Sequence, residues 1–416
     1  MIKEIISSPF LNSINNEAVL YYGVHVCDGL DLLEENSVNC TVTSPPYWGL
    51  RKYATTPEIW GGDVGCDHDW GLLIPPRKKG QVEQTKNSSD TSVSSSGNST
   101  QGQHCSKCQA WQGNLGLEPQ YDCNAWARKD EPCNSCYVCH MRTIFGKVHR
   151  VLKDDGILWL NIGDSYAAGG GKMDPGKHAQ VGATKKGVQR RTDTRGLQVK
   201  QKNLLGIPWR VALALQSDGW FLRSDCIWHK PNGMPQSVRD RFTTNHEYFF
   251  QLTKSPRYYF DQDSVRIPHK EESVARRGRG RSQKHKWSDT VDVRPDTPQG
   301  LEKDLENSLH PLGKNRRTVM SCSLQPYSGG HFAVFPTKLI EPLIIAGCPP
   351  DGTVLDPFSG SGTTGLVSLK EGRNYVGLDL GEEYLELARH RILGLKPPQK
   401  LDPNAEDIFS FFEDAT

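Results

Sequence analysis

The stretch Thr353–Leu380, TVLDPFSGSGTTGLVSLKEGRNYVGLDL, decides the fold that the sequence predicts. An apolar run ends in Asp356, glycines at 360, 362 and 365 open a helix, and a second apolar run ends in Asp379. Glycines let a ligand approach the backbone, and the start of a helix offers free N–H groups. In doubly wound folds, an acid at the end of the next strand accepts a hydrogen bond from a ribose hydroxyl. The stretch therefore predicts a strand, a ligand-binding turn, a helix and a second strand.

The chemistry of this turn narrows the choice of ligand. A glycine pattern alone would also fit a nucleotide, or a turn with a purely structural role. Here the strand ends in Asp356-Pro357-Phe358, and an acid in that position repels phosphate and suits a cationic or amine-bearing cofactor. The turn therefore favours S-adenosyl-L-methionine over a nucleotide.

Alternating strand and helix patterns precede this stretch along the chain. Residues 21–50 suggest strand, short helix and strand, and residues 143–166 suggest a helix followed by a buried strand. PWRVALALQSDGW (208–220) predicts a helix with Pro208 in its first turn. Such alternation is typical of an α/β protein with a doubly wound sheet. The 416 residues show no internal repeat and correspond to one large domain or two.

The composition excludes some classes of protein. The net charge is +2, so any attraction to a polyanion must come from local basic patches. Mean hydropathy is −0.59, and we find neither an apolar run long enough to span a membrane nor a secretory signal pattern. We therefore expect a cytoplasmic protein that does not associate with membranes.

A second stretch, VTSPPYWGL (Val42–Leu50), ends a strand-like run with two prolines and two aromatic residues. Proline lacks a backbone N–H and cannot continue a sheet ladder. Taken together, TSPPYW and DPFSGSGTTG resemble the motifs of the amino-methyltransferases of DNA, which methylate N4 of cytosine or N6 of adenine. The order, with the catalytic motif first and the cofactor loop last, resembles the β class. The resemblance covers roughly residues 20–60 and 143–395.

The resemblance implies a Rossmann-like methyltransferase sheet that is circularly permuted. It also implies S-adenosyl-L-methionine as cofactor and double-stranded DNA as partner. The residues that match the family's catalytic motif are Ser44, Pro45, Pro46 and Tyr47. The Ser44 side chain and the Pro45 carbonyl would accept hydrogen bonds from the amino group, and the Tyr47 ring would stack on a flipped base. Trp48 is open to two interpretations, a pocket wall that contacts DNA or core packing.

The resemblance also implies a set of cofactor-binding residues. They are Asp28, Phe335, Pro336, Lys338, Asp356, Pro357, Phe358, Ser359, Gly360, Gly362, Thr363 and Asp379. Within this set Asp379 would meet the ribose and Asp28 the adenine, although either acid alone could instead cap a helix.

Ser44 favours cytosine N4 as the target, because the acidic version of this motif accompanies adenine more often in the family. Adenine N6 stays as the alternative. A different class of function is a catalytically inactive DNA-binding protein on this fold, and RNA is a weaker alternative substrate. C5-cytosine chemistry is excluded because it needs a Pro-Cys nucleophile, whereas Cys348 lies in the reversed order, GCPP.

Two clusters of cysteines, one of them with a histidine, predict structural zinc. The first cluster is Cys66, His68, Cys105 and Cys108, and the second is Cys123, Cys133, Cys136 and Cys139. Reduced thiols without metal are the alternative for each cluster. A catalytic zinc deaminase is excluded because no His-x-Glu precedes Pro132-Cys133. The remaining cysteines are interpreted as packing residues.

Basic residues in the region 262–325 predict contacts with DNA phosphates. They are Arg276, Arg277, Arg279, Arg281, Lys284, Arg316 and Arg317. A solvated loop would show the same charge run. In the β class this region carries target recognition.

The predicted organisation divides the chain into segments. They are 17–65, the start of the catalytic domain; 66–142, a Cys/His-rich insertion with a disordered loop at 77–104; 143–261, catalytic; 262–325, target recognition; 326–397, cofactor binding; and 398–416, a tail. We expect a monomer or dimer from a prokaryote or phage, and a restriction endonuclease accompanying it would be a separate chain.

Overall fold

The computed structural model describes residues 1–10, 15–49, 55–70, 102–167, 199–200, 202–272, 274, 310–325 and 335–395. The strands are β1 (Ile2–Ser7), β2 (Glu17–Tyr22), β3 (Val38–Thr43), β4 (Glu58–Trp60), β5 (Gln103–His104), β6 (Trp111–Gly113), β7 (Leu152–Ile162), β8 (Phe221–His229), β9 (His246–Thr253), β10 (Val319–Ser321), β11 (Thr353–Asp356) and β12 (Asn374–Asp379). The helices are α1 (Val26–Asp31), α2 (Ala125–Arg128), α3 (Tyr137–Val151), α4 (Ile207–Ser217), α5 (Thr337–Gly347), α6 (Thr363–Lys370) and α7 (Leu385–Ile392).

Nine strands form one mixed sheet in the order β1-β2-β12-β11-β3-β7-β9-β8-β10. Five adjacent strands, β2, β12, β11, β3 and β7, are parallel to one another. Outside them, β1 is antiparallel to β2, β9 is antiparallel to β7 and to β8, and β10 is parallel to β8. β11 and β12, from the C-terminal part of the chain, lie between β2 and β3. The predicted α/β sheet is therefore confirmed, with late strands at its centre.

Helices cover both faces of the sheet, as a doubly wound fold requires. One buried cluster joins α1, α3 and α4 to the sheet through side chains such as Leu30, Phe145 and Val211. The other joins α5, α6 and α7 through Leu343, Val367 and Ile392. Since both faces are covered, Gly156–Ile162 of β7 is buried without interruption.

A second, three-stranded sheet in the order β4-β6-β5 belongs to the Cys/His-rich part of the chain. Two predicted boundaries differ from this structure. The large sheet begins with β1, before residue 17, because Ile2–Ser7 pairs antiparallel with Glu17–Tyr22. β4 pairs with β6 and so belongs to the small sheet, although it lies before residue 66.

Two predicted features concern parts of the chain outside the described residues. The loop predicted to be disordered at 77–104 and the tail at 398–416 lie almost wholly or wholly outside the described residues. Within the described part of the chain, no helix is both long and apolar enough to cross a membrane.

Two glycine-to-alanine substitutions inside helices should have opposite effects on stability. At Gly365 in α6, an added Cβ would lie 2.7 Å from the buried Tyr375 ring, so Gly365→Ala should lower the free energy of unfolding by about 1–3 kcal/mol. Gly146 in α3 has no such neighbour within 4 Å, and Gly146→Ala should raise it by about 0.5–1 kcal/mol. Thermal unfolding of both variants beside the wild type checks this, and shifts in the same direction would contradict the packing described.

Candidate active site

The catalytic motif and the glycine turn meet because their strands are parallel neighbours. β3 ends at Thr43 and β11 ends at Asp356, and Thr43 Oγ1 donates to Asp356 Oδ1 at 2.7 Å. The residues that follow each strand line one cavity of 1490 Å³. Ser44 therefore lies on the same cavity as the predicted cofactor turn, as the sequence motifs required.

The Ser44–Tyr47 segment is fixed by hydrogen bonds and by close packing. Ser44 Oγ donates to the Tyr47 hydroxyl at 3.3 Å. The Tyr47 ring lies against Gly163, where a Cβ would come within 2.7 Å of the ring. After the motif, Gly49 N donates to the Gly116 carbonyl at 2.7 Å. The segment is thus held in one conformation, which is the preorganisation that electrostatic catalysis uses.

The Tyr47 hydroxyl has partners that the sequence did not suggest. It donates to Glu247 Oε2 at 2.9 Å and lies 3.0 Å from Asn161 Oδ1, a second acceptor. Lys230 forms an ion pair with the other oxygen of Glu247. Burial, followed by the charge of Glu247, raises the pKa of Tyr47 well above its ordinary value. Tyr47 therefore stays a neutral donor, and its ring cannot turn without breaking these contacts.

Asp356 is buried and saturated with donors. Besides Thr43, it accepts from Thr364 Oγ1 at 2.7 Å and from Phe358 N at 3.1 Å. Burial raises the pKa of Asp356 to about 6. Asp356 therefore shapes the turn that follows β11, and it also places negative charge at the floor of the cavity.

Asp379 holds the other side of the turn. Its carboxylate accepts from Gly360 N at 2.7 Å and from Gly381 N at 2.9 Å, and burial raises its pKa to about 7. Gly360 and Gly362 have φ values of 50° and 73°, a region that favours glycine. The turn is therefore preformed around Asp379.

Most of the predicted cofactor residues share this cavity. Those that line it are Phe335, Asp356, Pro357, Phe358, Ser359, Gly360, Thr363 and Asp379. Four others do not line it: Asp28 and Lys338 are exposed, Pro336 is buried at the start of α5, and Gly362 packs against Ala388. For these four the predicted contacts with a cofactor stay predictions.

Glu58 is a cavity residue that sequence reasoning missed. It lies on β4, its side chain is 8% exposed, and its Oε1 is 3.5 Å from His25 Nε2. Burial, followed by the charge of Asp28, raises the pKa of Glu58 to about 8. No local pattern in TTPEIW indicates this position, which depends on the pairing of β4 with the distant β6.

The DNA contact predicted for Trp48 is not compatible with its position. Its side chain is 3% exposed and packs in the core, with Nε1 donating to the Glu118 carbonyl at 3.1 Å and the ring edge-on to Tyr121. The alternative, core packing, is the correct interpretation. Among the basic residues, Arg316 and Arg317 are exposed, and Arg276, Arg277, Arg279, Arg281 and Lys284 lie outside the described residues.

The two cysteine clusters assemble as the sequence predicted. In each, the four ligand atoms all lie within 4.8 Å of one another. In the first, Cys66 and Cys105 have sulfurs 3.8 Å apart, and in the second, Cys123 and Cys139 have sulfurs 3.6 Å apart. Zn–S bonds of about 2.3 Å in a tetrahedron give sulfur separations of roughly 3.8 Å. Three thiolates with one imidazole in the first cluster, and four thiolates in the second, therefore fit zinc in chemistry and in spacing.

A series of contacts links the second cluster to the chain that follows the Ser44–Tyr47 segment. His140, next to Cys139, contacts Glu118 Oε1 at 3.0 Å and stacks on Trp60 and Trp111. The same Glu118 oxygen accepts from Gly116 N at 3.2 Å, and Gly116 in turn holds the chain just after Tyr47. The Cys/His-rich part thus supports the backbone just after the predicted catalytic residues Ser44–Tyr47.

The chain is similar to known proteins along most of its length. Residues 38–390 match the family described as DNA methylase. The Type II methyltransferase M.Cfr9I of Citrobacter freundii is 36% identical over 384 residues, covering 91% of this chain and 89% of that protein. M.SmaI of Serratia marcescens, also a Type II methyltransferase, is 35% identical over 365 residues, covering 87% and 86%. Among solved structures, the cytosine-N4-specific PvuII DNA methyltransferase aligns over 94% of this chain and 88% of its own, with 17% identity and a TM-score of 0.47.

Proposed function

This chain belongs to the DNA methylase family, and from that premise we propose that it methylates the exocyclic N4 of a flipped cytosine at specific sites in double-stranded DNA. S-adenosyl-L-methionine is the proposed cofactor, and it would supply the methyl group. The observation that carries the proposal is the shared cavity, in which Ser44 and the Asp356 turn lie on adjacent strands tied by the bond from Thr43.

The proposed roles of the catalytic residues follow from the chemistry of an aromatic amine. Its lone pair is delocalised into the ring, so the amine becomes nucleophilic only when both N–H groups are drawn to acceptors. Ser44 Oγ keeps lone pairs free while it donates to Tyr47, and the Pro45 carbonyl is the second acceptor. The bound cofactor would supply the methyl group: a nitrogen–carbon bond would form as the sulfur–methyl bond broke, and the extra proton on nitrogen would leave to water, since Ser44 is not a base.

The choice of cytosine rests on Ser44. A neutral hydroxyl stands where an acidic residue accompanies adenine more often in the family, and so adenine N6 is the alternative target. A catalytically inactive DNA-binding protein is disfavoured because the catalytic segment and the cofactor turn are both intact and face each other. Identification of the methylated nucleoside therefore decides between cytosine and adenine.

Expression of the chain in cells should produce N4-methylcytosine in their DNA, detected by mass spectrometry of the digested nucleosides. N6-methyladenine instead would keep the mechanism and change the base. Ser44→Ala should abolish the product and leave cofactor binding intact, because Ser44 would contact the amine, and Asp356→Ala should abolish cofactor binding. If neither base were modified while the purified protein bound cofactor and DNA, the inactive alternative would replace this proposal.

The charge of the cavity supports a cationic cofactor. Asp356, Asp379 and Glu58 all line it, and burial raises the pKa of each, to about 6, 7 and 8. Near neutral pH the unliganded site therefore retains protons on carboxyl groups. A sulfonium cation favours the ionised carboxylates, so its binding should expel those protons.

Cofactor affinity should therefore rise as the pH is raised from about 6 to about 8, as binding releases protons. Calorimetric titration of S-adenosyl-L-methionine at one pH, in phosphate and in Tris, measures the number of protons released from the difference in heat. Glu58→Gln should reduce the release at about pH 7.5, because it removes one carboxyl that still holds a proton there. Proton uptake, or an affinity that falls with pH, would contradict the assignment of these carboxyls to the cofactor site.

We propose further that each cysteine cluster binds one structural zinc ion. Full-length protein purified without chelators should contain about two zinc ions per chain by elemental analysis. Cys108→Ser and Cys136→Ser should each remove one ion, because each loses one thiolate of a four-ligand set. Cys322→Ser, at a half-buried cysteine outside both clusters, is the matched control and should keep both. Wild-type protein without zinc would overturn the proposal.

The proposed setting is that of a modification enzyme in a prokaryotic or phage-infected cell. It would act in the cytoplasm, where DNA and the cofactor are both available. A restriction endonuclease of the same specificity would be a separate chain, and the protein would act as a monomer or dimer.

A further inference from the structure

We propose that the segment 231–245, which connects β8 to β9, inserts the Phe242 ring into the DNA duplex where the target base leaves the stack. The inference rests on the proposed function, because it needs a duplex and a flipped base. It assigns a specific wedge residue to the chain, outside the catalytic and cofactor motifs.

The 231–245 segment lies at the cavity that holds the catalytic residues. Lys230, immediately before the segment, and Glu247, two residues after it, belong to the network around the Tyr47 hydroxyl. Residues of the segment itself line the same cavity as Ser44; they are Gly233, Met234, Gln236, Val238, Asp240, Arg241, Thr244 and Asn245. The segment therefore forms part of the wall of the cavity that a base would enter to reach Ser44.

The segment presents large apolar side chains to water. Phe242 is 97% exposed and Met234 is 79% exposed. An isolated exposed apolar residue is common on protein surfaces, but two on one segment at the edge of an active-site cavity indicate a contact surface. Because neither ring nor thioether is buried, the fold itself gains little hydrophobic stabilisation from them.

Hydrogen bonds order the backbone on which Phe242 stands. The Arg241 guanidinium lies 3.9 Å from the centre of the Tyr166 ring, and its Nη1 donates to Gln236 Oε1 at 2.9 Å and to the Phe242 carbonyl at 3.0 Å. Asp240 accepts from Lys202 at 2.5 Å. The backbone is thus bonded inward while the Phe242 side chain projects outward.

The base of the segment is also fixed. Asn232 donates to the Leu324 carbonyl at 3.0 Å and accepts from Leu324 N at 2.7 Å, so the segment is bonded to the strand region after β10. A side chain that separates stacked bases needs a backbone that does not move when the ring is inserted, and these bonds restrain the start of the segment.

The charges of the segment favour nucleic acid as the partner. Within 231–245, Arg239 and Arg241 flank a single acid, Asp240, and Arg239 is exposed. Cations beside an exposed aromatic ring suit a phosphate backbone with stacked bases. Proteins that distort DNA insert apolar side chains between base steps, and the cost of unstacking falls when the target base is already mispaired.

The experiment compares paired with mispaired targets. The probe is an oligonucleotide duplex with the recognition site, found by sequencing the modified DNA, and a second duplex in which only the target base is mispaired. Phe242→Ala should lower kcat/KM on the paired duplex by about tenfold or more. On the mispaired duplex, kcat/KM of the same variant should be close to the wild-type value. Phe242→Trp should keep most of the activity, since an indole can fill the same gap.

Two controls separate a wedge from general damage. Ile5→Ala removes another exposed apolar side chain, 55% exposed on the edge strand β1 and outside both the cavity lining and the segment 231–245, and should behave as wild type. Cofactor affinity of Phe242→Ala should be unchanged. Equal loss on both duplexes, or no loss on the paired duplex, would overturn the wedge. Failure of the wild type to methylate any DNA would instead overturn the proposed function.

Discussion

The hydrogen bond from Thr43 to Asp356 is the contact on which the site depends. It joins residues 313 positions apart in the sequence and lies where two parallel strands end side by side. The register pairs Val354 with Cys40 and Leu355 with Thr41. A slip of one residue between the strands would displace their ends by about 3.3 Å, which would break the bond between Thr43 and Asp356 and move the Ser44–Tyr47 segment relative to the turn after β11.

Asp356 shows how one buried group serves two purposes. Thr43, Thr364 and Phe358 N donate to it, so the carboxylate is stabilised without a cation and the turn after β11 takes its shape. Burial nevertheless keeps the pKa high, and the residual cost of the charge remains available for a cationic ligand to relieve. The turn is therefore rigid and electrostatically prepared before any ligand arrives.

The sequence predicted those parts of the site that are local in the chain. The glycine turn and the Ser44–Tyr47 segment each carry their own backbone signal, and the doubly wound sheet followed from strand and helix periods. The exact partners of Tyr47 were not predictable, because Asn161 and Glu247 come from strands 114 and 200 residues further along. Glu58 was missed for the same reason. For Trp48, the sequence alone does not distinguish a tryptophan that packs in the core from one that contacts a ligand.

The Cys/His-rich part illustrates a second limit of sequence reasoning. Ligand spacing indicated both clusters, but not that Glu118 and His140 would connect the second cluster to the segment after Tyr47. That connection passes through a buried pair beside two tryptophans. This support holds the backbone after Tyr47 from outside the main sheet, so the insertion contributes to the geometry of the candidate site.

The position of β11 and β12 between β2 and β3 has a consequence for folding during translation. Translation delivers β2 and β3 early, but the strands that separate them in the sheet, Thr353–Asp356 and Asn374–Asp379, come roughly 300 residues later or more. Until then β2 and β3 each have an edge without its native partner, and such edges invite association with other chains. The nascent chain also carries a catalytic segment with no cofactor turn beside it. We therefore expect a chain released before residue 379 to be inactive, because it lacks Asp379, which lines the cavity together with Ser44.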